Sequence, residues 1–394
     1  MNKDIYKYYL YSALSNFLFF LPIIYLFFKD SGLTFTQIFL TEAIFSVAVV
    51  LFEVPTGALA DYIGRKKSVL AGVLMWILSC FIFFIGHSFI TFSIANIFCA
   101  LGVAFMSGAD MALFYEILRK QNKENDYKKY QGTAQLIGLI SLSLSALASG
   151  FISSIDLRLN FIASTVAFVL LFFIVVSIPS KEKEKIKGEE KPHYLKIITE
   201  SFYLIKNSKW LLWLFVFSGI FGAAFKIIQP LTQIYMENSN LDIRYFGLAS
   251  AYLFLMAALA SKTADRFELF LKKWTYFVLT LLLIIPIFII SSFVFRLGFL
   301  VFGLVYLASA VSTITISHEI LKTTPESKYA TILSFKSLSY RGIFVIISPF
   351  FGYYLEVLNF REAMLIFGLF LSLIFSVVLI SYLKIKKPDE PHRL

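Results

Sequence analysis

The chain has little of what soluble and metal-binding proteins depend on. Charged residues make up 15% of its 394 positions, against roughly a quarter in soluble domains. It has two cysteines, Cys80 and Cys99, both inside apolar runs, so we expect inert thiols and no disulfide framework. Its four histidines are scattered without metal-ligand spacing, so we expect no metal site and no cofactor.

What the chain does contain is apolar surface. Hydrophobic residues reach 58%, and phenylalanine alone occurs 45 times. A soluble fold cannot bury that much apolar surface, whereas a lipid bilayer solvates it. The net charge of +11 sits in short basic clusters between apolar stretches, which is typical of membrane topology and not of a nucleic-acid-binding face.

A span of the bilayer needs about 20 largely apolar residues. This criterion predicts an all-α membrane protein with twelve transmembrane helices. The predicted spans are 9–28, 36–59, 68–86, 89–116, 131–153, 159–179, 210–234, 244–263, 273–292, 294–318, 330–354 and 361–384. Residues 1–8 are short and polar, so we expect no cleaved signal peptide, and the first span is expected to remain.

The basic residues predict the orientation. With the N-terminus inside, the inner segments hold 27 Lys and Arg and the outer segments hold five, while four more lie within spans. Because cytoplasmic loops carry the excess of basic residues, both termini are expected in the cytoplasm, as for a multi-pass protein of the cell membrane.

The two halves of the chain repeat each other weakly but in order. Short matches recur at offsets of about 199 to 208 residues with the same span parity. The main ones are Pro22 with Pro230, Ala60-Asp61 with Ala264-Asp265, Glu116–Arg119 with Glu319–Lys322, and Arg158 with Arg361. They predict two parallel six-helix bundles, residues 1–179 and 210–394.

The linker 180–209 has two parts. Lys181–Lys191 alternates Lys and Glu and is expected to be solvated. The apolar residues of 194–205 recur at helical spacing, which predicts an amphipathic helix on the cytoplasmic surface, with a simple tether as the alternative.

One loop motif resembles a known family. Gly57–Lys67 reads GALADYIGRKK and falls between spans 2 and 3. It is similar to the loop motif between helices 2 and 3 of the major facilitator superfamily. The residues Glu53-Val-Pro55, Ser107–Asp110 and Tyr115-Glu116 resemble a bacterial subgroup that contains many efflux proteins. The resemblance implies the fold of that superfamily over the whole chain.

The resemblance also implies a cytoplasmic gate. Gly57 is expected where helices approach closely, Gly64 in a tight turn, and Asp61 at the N-terminus of helix 11. Arg65, Lys66 and Lys67 are expected to anchor the loop among lipid headgroups. The second copy of the motif retains Asp265, but Glu268 and Leu269 stand where the first copy has Gly64 and Arg65.

Ionisable residues within spans are candidates for function because burying a charge in the bilayer is costly. Glu53 is a candidate proton carrier or structural ion pair, and we predict that it pairs with Lys336 or Arg341. Asp110 is the second candidate, for proton coupling or helix packing. Glu116 is expected to pair locally with Arg119 or Lys120.

In the family the cavity is lined by helices 1, 4, 7 and 10. The matching spans here, with span 11, carry polar and aromatic candidates for binding substrate. These are Asn16, Phe20, Lys226, Gln229, Gln233, Tyr306 and Arg341. Lys226 and Arg341 favour a substrate with an anionic or strongly polar part. The alternative for Lys226 is a structural contact.

The sequence therefore predicts a secondary transporter, and three functions stay open. One is proton-coupled export of a small amphiphilic molecule by a monomer. Another is proton-coupled import of an organic anion or zwitterion. Span 5 lacks the proline of the Gly-Pro-rich motif that antiporters of the family often carry, which leaves the direction open. The third function, a remote alternative, is that of a non-transporting membrane sensor. No catalytic constellation or phosphate-binding glycine loop points to an enzyme.

Overall fold

The computed structural model describes residues 3–123, 126–179, 194–325 and 328–385. In these ranges every regular element is a helix, and the chain divides into two compact units. Unit 1 comprises Met1–Ile186 with Asn240–Ala251, and unit 2 comprises Lys187–Ser239 with Tyr252–Leu394. The Lys181–Lys191 stretch, predicted to be solvated, lies outside the described residues. The predicted boundaries at 179 and 210 remain our proposal.

Unit 1 is built from eight described helices. They are α1 (Lys3–Ser15), α2 (Ile24–Asp30), α3 (Phe35–Ile63), α4 (Arg65–Ile85), α5 (Phe89–Met106), α6 (Ala109–Arg119), α7 (Tyr127–Ser153) and α8 (Leu159–Ser177). Capping boxes at Thr34 and Ser88 start α3 and α5, because each side chain accepts a backbone N–H of its helix's first turn. The core contains stacked and tilted aromatic rings, among them Phe27 and Phe161, whose centroids lie 4.6 Å apart.

The first predicted span is not one helix. Between α1 and α2 the backbone forms short turns, such as those from Leu21 N–H to the Leu18 carbonyl and from Ile23 N–H to the Phe20 carbonyl. The Phe19 N–H donates to Ser164 Oγ on α8 at 3.1 Å, so a side chain replaces a helical acceptor. Pro22 supplies no N–H of its own. Pro230, its match in the second half, lies within a continuous helix.

Unit 2 has seven described helices. They are α9 (Tyr194–Asn207), α10 (Lys209–Asn238), α11 (Phe246–Leu271), which begins in the segment grouped with unit 1, α12 (Thr275–Ser292), α13 (Phe302–Lys322), α14 (Tyr329–Val357) and α15 (Phe360–Lys384). In α9, Ile205 is buried and Glu200 Oε2 pairs with Lys328 Nζ at 2.9 Å. The surface location of α9 remains our proposal.

By length and composition, nine segments of the described chain are able to cross a membrane. One of them, Ile243–Ser292, contains both α11 and α12. The two predicted spans outside these segments are the interrupted α1–α2 pair and α14, which carries Lys336 and Arg341. The helices are therefore consistent with the twelve predicted spans.

The repeat is visible in matching arginine contacts. In unit 1, Arg158 donates to the carbonyls of Phe84 and Gly86, at the end of α4, at 2.6 and 2.8 Å. In unit 2, Arg361 donates to the carbonyls of Ser291 and Ser292, at the end of α12, at 2.9 and 2.7 Å. Each arginine satisfies carbonyls that a helix C-terminus leaves without an intrahelical donor.

We expect Arg158→Met to lower the free energy of unfolding by about 2 kcal/mol, since it removes charged hydrogen bonds to two carbonyls. It also removes the contact of the guanidinium with the Phe27 ring at 5.3 Å. Thermal unfolding of the purified protein in detergent measures the effect. The control is Arg296→Met, at an exposed loop position. Equal melting temperatures of the two variants would contradict the assigned role of Arg158.

Candidate functional site

The fourth predicted span is interrupted beside its carboxylate. α5 ends at Met106 and α6 begins at Ala109, with Gly108 at φ +74° between them. Glycine accepts that backbone conformation without the strain that a side chain causes. Asp110 lies in the first turn of α6, and its Oδ1 accepts the Met111 N–H at 2.7 Å. The positive end of the α6 dipole favours a carboxylate at this place.

Two tyrosines of α1 enclose Asp110. The Tyr11 hydroxyl lies 3.5 Å from Asp110 Oδ2, at the outer limit of a hydrogen bond. Tyr8 stacks on Phe114 of α6 with ring centroids 3.7 Å apart, and both tyrosines are buried. Tyr8 and Tyr11 were not predicted from the sequence, although their spacing of three residues places them on one face of a helix. The arrangement gives a half-buried carboxyl group with a hydroxyl neighbour.

The remaining candidates of unit 1 lie in different surroundings. Asn16 Nδ2 donates to the Ser12 carbonyl at 2.8 Å, and Gly138 of α7 leaves room for that amide. Phe20 is 7% exposed and stacks on Phe161 at 5.4 Å, so its ring belongs to the packed core of its own unit. Glu53 is half-buried on α3.

The basic candidates of α14 have partners inside unit 2. Lys336 Nζ donates to Ser317 Oγ at 2.7 Å and to the Thr313 carbonyl at 3.1 Å. Arg341 Nε donates to Ser337 Oγ at 3.3 Å. The pairing of Glu53 with Lys336 or Arg341 joins residues of different units and stays a prediction.

Lys226 lies against an aromatic ring of α14. Its Nζ is 4.4 Å from the centroid of Phe344, close enough for a cation–π interaction. A turn earlier on α10, a Cβ on Gly222 would meet Tyr340 at 2.8 Å, so α10 and α14 are tightly packed here. Phe344 has no polar atom in its side chain, so it was not among the residues predicted from the sequence.

The other candidates of unit 2 flank Lys226. Gln229 follows Lys226 by three residues and Gln233 by seven, with Gln229 half-buried and Gln233 buried. Tyr306 of α13 meets Phe225 edge to face at 5.1 Å. Unit 2 therefore presents a half-buried cation, two amides and a phenol along α10 and α13.

The gate motif joins three helices of unit 1. Gly64 adopts φ +96° between α3 and α4, which confirms the predicted tight turn. Arg65 Nη1 pairs with Glu116 Oε1 at 2.9 Å and donates to the Ala112 carbonyl of α6 at 3.2 Å. Lys66 Nζ donates to the carbonyls of Val176 and Ile178, at and beyond the end of α8. These contacts hold the start of α4 against α6 and α8.

One expectation about this motif is corrected. Glu116 pairs with Arg65 and not locally, because the turn at Gly64 places the start of α4 beside α6. Arg65 and Lys66 also bind protein oxygens, and their expected anchoring among lipid headgroups stays a prediction.

The expected roles of two other motif residues, Gly57 and Asp61, are not confirmed within unit 1. A Cβ on Gly57 would meet no atom of that unit within 4 Å, so the expected close approach is not seen inside it. The Asp61 side chain lies outside the described part of the chain, and its role stays a prediction. In unit 2, Asp265 is exposed on α11.

Comparison with known proteins decides the family. The family model of the Major Facilitator Superfamily matches residues 8–340. The chain belongs to this superfamily. Several relatives and solved structures that resemble it are named as transporters.

The sequence matches with curated relatives cover only part of each chain. An uncharacterised MFS-type transporter of Bacillus subtilis, YxaM, is 28% identical over 66% of this chain. The quinolone resistance protein NorA of Staphylococcus aureus is 25% identical over 48% of it. The match spans 64% of the length of YxaM and 49% of the length of NorA.

Solved structures share the fold. The nucleoside transporter NupG superposes with a TM-score of 0.79 at 13% identity, covering 98% of this chain and 100% of NupG. A peptide transporter of the POT family superposes with a TM-score of 0.75 at 11% identity, covering 100% and 99%. At such low identity the likeness shows the major facilitator fold alone.

Proposed function

We propose that the protein exports a small amphiphilic molecule, such as a drug, a metabolite or a short peptide, by proton-coupled alternating access. The observation that carries the proposal is the half-buried Asp110 carboxyl at the break between α5 and α6. Ionisable residues within membrane spans are costly to keep charged and often mark proton relays. Discontinuous helices supply coupling sites in many transporters.

The relatives support this direction of transport without deciding it. NorA is named for resistance to quinolones, and export is one way in which a transporter confers resistance. The match covers about half of this chain and about half of NorA. A substrate class like that of NorA is therefore part of the proposal only. We also propose that the protein is a monomer of the cell membrane with both termini in the cytoplasm.

A second function is favoured by the cations of unit 2. Lys226 is half-buried beside Phe344, and Arg341 is half-buried on the same helix as Phe344. Import of an organic anion or zwitterion together with a proton would use such cations to hold the negative group. The two proposals differ in the direction of proton movement relative to substrate.

We expect Asp110→Asn to abolish the acceleration of transport by an imposed pH gradient, because the amide cannot carry the proton. Substrate exchange without a gradient should persist. The measurement is uptake and efflux of a chemically varied substrate panel in proteoliposomes, with internal pH recorded at the same time. Proton movement opposite to substrate supports export, and movement with substrate supports import.

The matched control is Asp156→Asn, at an exposed loop carboxylate outside the helices. It should retain full dependence on the gradient. Glu53→Gln, tested in the same way, decides whether Glu53 shares the coupling. An Asp110→Asn variant with unchanged gradient dependence would remove Asp110 from the mechanism.

A further inference from the structure

Unit 2 contains a cavity of about 660 Å³ at the end where α11 and α13 finish and α10 and α12 begin. Its volume is within the range of pockets that hold small organic molecules. Every described lining residue belongs to unit 2, and Asp110 and Lys226, both in the described chain, do not line it. The cavity is therefore separate from the residues to which transport is assigned above.

Aromatic rings form one wall of the cavity. Trp210 of α10 lies 6.3 Å from Tyr276 of α12 and 6.1 Å from Tyr382 of α15, between ring centroids. All three residues line the cavity, and Trp210 and Tyr276 are buried. Rings packed against one another in this way present a rigid apolar surface. Such a surface suits the body of an aromatic or other apolar molecule.

A buried hydroxyl lines the same cavity. Thr315 of α13 is 2% exposed, and its Oγ1 has no hydrogen-bond partner among the described residues. Buried polar groups normally have partners, and an unmet one costs free energy. The Thr315 hydroxyl therefore indicates a ligand that brings a polar atom to the inner end of the cavity.

Three lysines lie at the outer end of the cavity. Lys272 and Lys273 directly follow α11, and Lys322 is the last residue of α13. All three are exposed. Thr315 precedes Lys322 by seven residues and therefore lies roughly 10 Å deeper along α13. The lysines thus mark the mouth of the cavity, and the buried hydroxyl marks its inner end.

Two carboxylates reduce this positive charge without cancelling it. Asp265 and Glu268 of α11 also line the cavity, which gives three lysines and two acids among its described lining residues. The acids precede Lys272 by seven and four residues, so they lie about two turns and about one turn before it along α11. An anionic group is therefore favoured at the mouth, at the level of the lysines, and not further in.

We propose that this cavity binds a small soluble organic anion. The ligand has an aromatic or other apolar body, with a carboxylate or phosphate at one end and a polar atom at the other. Its anionic group accepts charged hydrogen bonds from the three lysines at the mouth. Its body lies against the aromatic wall, and its inner polar atom meets the Thr315 hydroxyl.

The experiment uses the full chain in phosphatidylcholine nanodiscs and isothermal titration calorimetry at pH 7. Three probes share one body and differ in charge: 3-phenylpropionate, 3-phenylpropanol and 3-phenylpropylamine. The anion should bind at least about tenfold more tightly than the alcohol, as expected for a charged hydrogen bond, and more tightly than the amine. Tighter binding of the alcohol or the amine would overturn the proposal, as would equal binding of all three.

The lysines are tested with a double variant. Lys272→Gln/Lys273→Gln should reduce the affinity for 3-phenylpropionate by at least about tenfold. The matched control Lys206→Gln/Lys209→Gln removes the same charge around the junction of α9 and α10, and neither lysine is among the described residues that line the cavity. All four positions are exposed, so both variants should fold. Equal affinities of the two variants would contradict the proposal.

The inner end is tested with Thr315→Val, which keeps the shape of the side chain and removes its hydroxyl. The parent protein should bind 3-(4-hydroxyphenyl)propionate about fivefold more tightly than 3-phenylpropionate, the value of one neutral hydrogen bond. The variant should lose this preference and still bind 3-phenylpropionate. Because the hydroxyl has no partner among the described residues, its removal should not destabilise the fold. An unchanged preference would contradict the assigned orientation of the ligand.

Two further controls separate this site from a lipid site and from the transport site. Phosphatidylglycerol in the nanodisc should not displace the probe, because the apolar chains of a lipid lie in the bilayer, whereas the apolar body of this ligand lies inside the cavity. Displacement would overturn the proposal. Loss of 3-phenylpropionate binding in Lys226→Met would place the probe at the transport site and count equally against it. A failure of proton coupling in Asp110→Asn leaves the binding result unchanged, so the two proposals fail separately.

Discussion

The Gly247→Val variant is expected to lose more than about 3 kcal/mol of unfolding free energy, above the usual cost of overpacking. The reason is the closeness of two backbones within unit 1. A Cβ on Gly247 would collide with the carbonyl oxygen of Ala146 on α7 and lie 3.1 Å from the Gly150 nitrogen. On the opposite side, a Cβ on Gly150 would collide with the Arg244 carbonyl oxygen. Backbone atoms in a helix cannot move aside as a flexible side chain does.

Thermal unfolding in detergent, followed by tryptophan fluorescence, measures this loss. The matched control is Gly132→Val, because Gly132 lies on α7 and a Cβ there would meet no atom within 4 Å. That control should change stability by less than about 1 kcal/mol, the size of a helix-propensity effect. Melting of Gly247→Val at the temperature of Gly132→Val would show that the α7 contact adapts to a side chain.

The features that were predicted from the sequence depend mainly on residues close together along the chain. Apolar length and charge predicted the membrane helices, and the GALADYIGRKK motif predicted the superfamily. Gly64 was expected in a turn and has φ +96°. The order of the weak half-repeats also anticipated that Arg158 and Arg361 would play matching parts, and both bind carbonyls at a helix end.

Interruptions of helices were not predicted, because the apolar character of a span continues through a short break in the helix. The stretch around Ser107 and Gly108 is apolar enough to extend a span, yet Gly108 adopts φ +74° and a second helix starts there. In the first span, the break depends on Ser164 of α8 accepting the Phe19 N–H. Such a partner is distant in sequence and becomes visible only when the helices are packed.

Partners of charged side chains were the weakest part of the sequence analysis, for the same reason. Glu116 has basic residues three and four positions away, and local spacing favoured them. The structure pairs it with Arg65, 51 positions away. Phe344, which contacts Lys226, carries no sequence signal at all.

The Lys226→Met variant separates the two proposed functions. If the Lys226 ammonium holds a negative group of the substrate, kcat/KM for anionic substrates should fall at least about tenfold, the value of one charged hydrogen bond. Neutral amphiphiles should be transported as before. Methionine nearly matches the length of lysine, and its sulfur packs well on an aromatic ring, so it should remain seated against Phe344. The Lys226→Met variant should therefore fold as the parent protein does.

Transport of matched anionic and neutral substrates in proteoliposomes provides the measurement. Lys226→Arg keeps the cation above the Phe344 ring and should retain most of the activity on anions. The control Lys262→Met removes an exposed lysine of α11 and should leave the ratio of anionic to neutral transport unchanged. If Lys226→Met lowers both rates equally, or neither, then the ammonium does not select substrates. Its stacking on Phe344 is then a contact between α10 and α14, and the import proposal loses the residue that favours it.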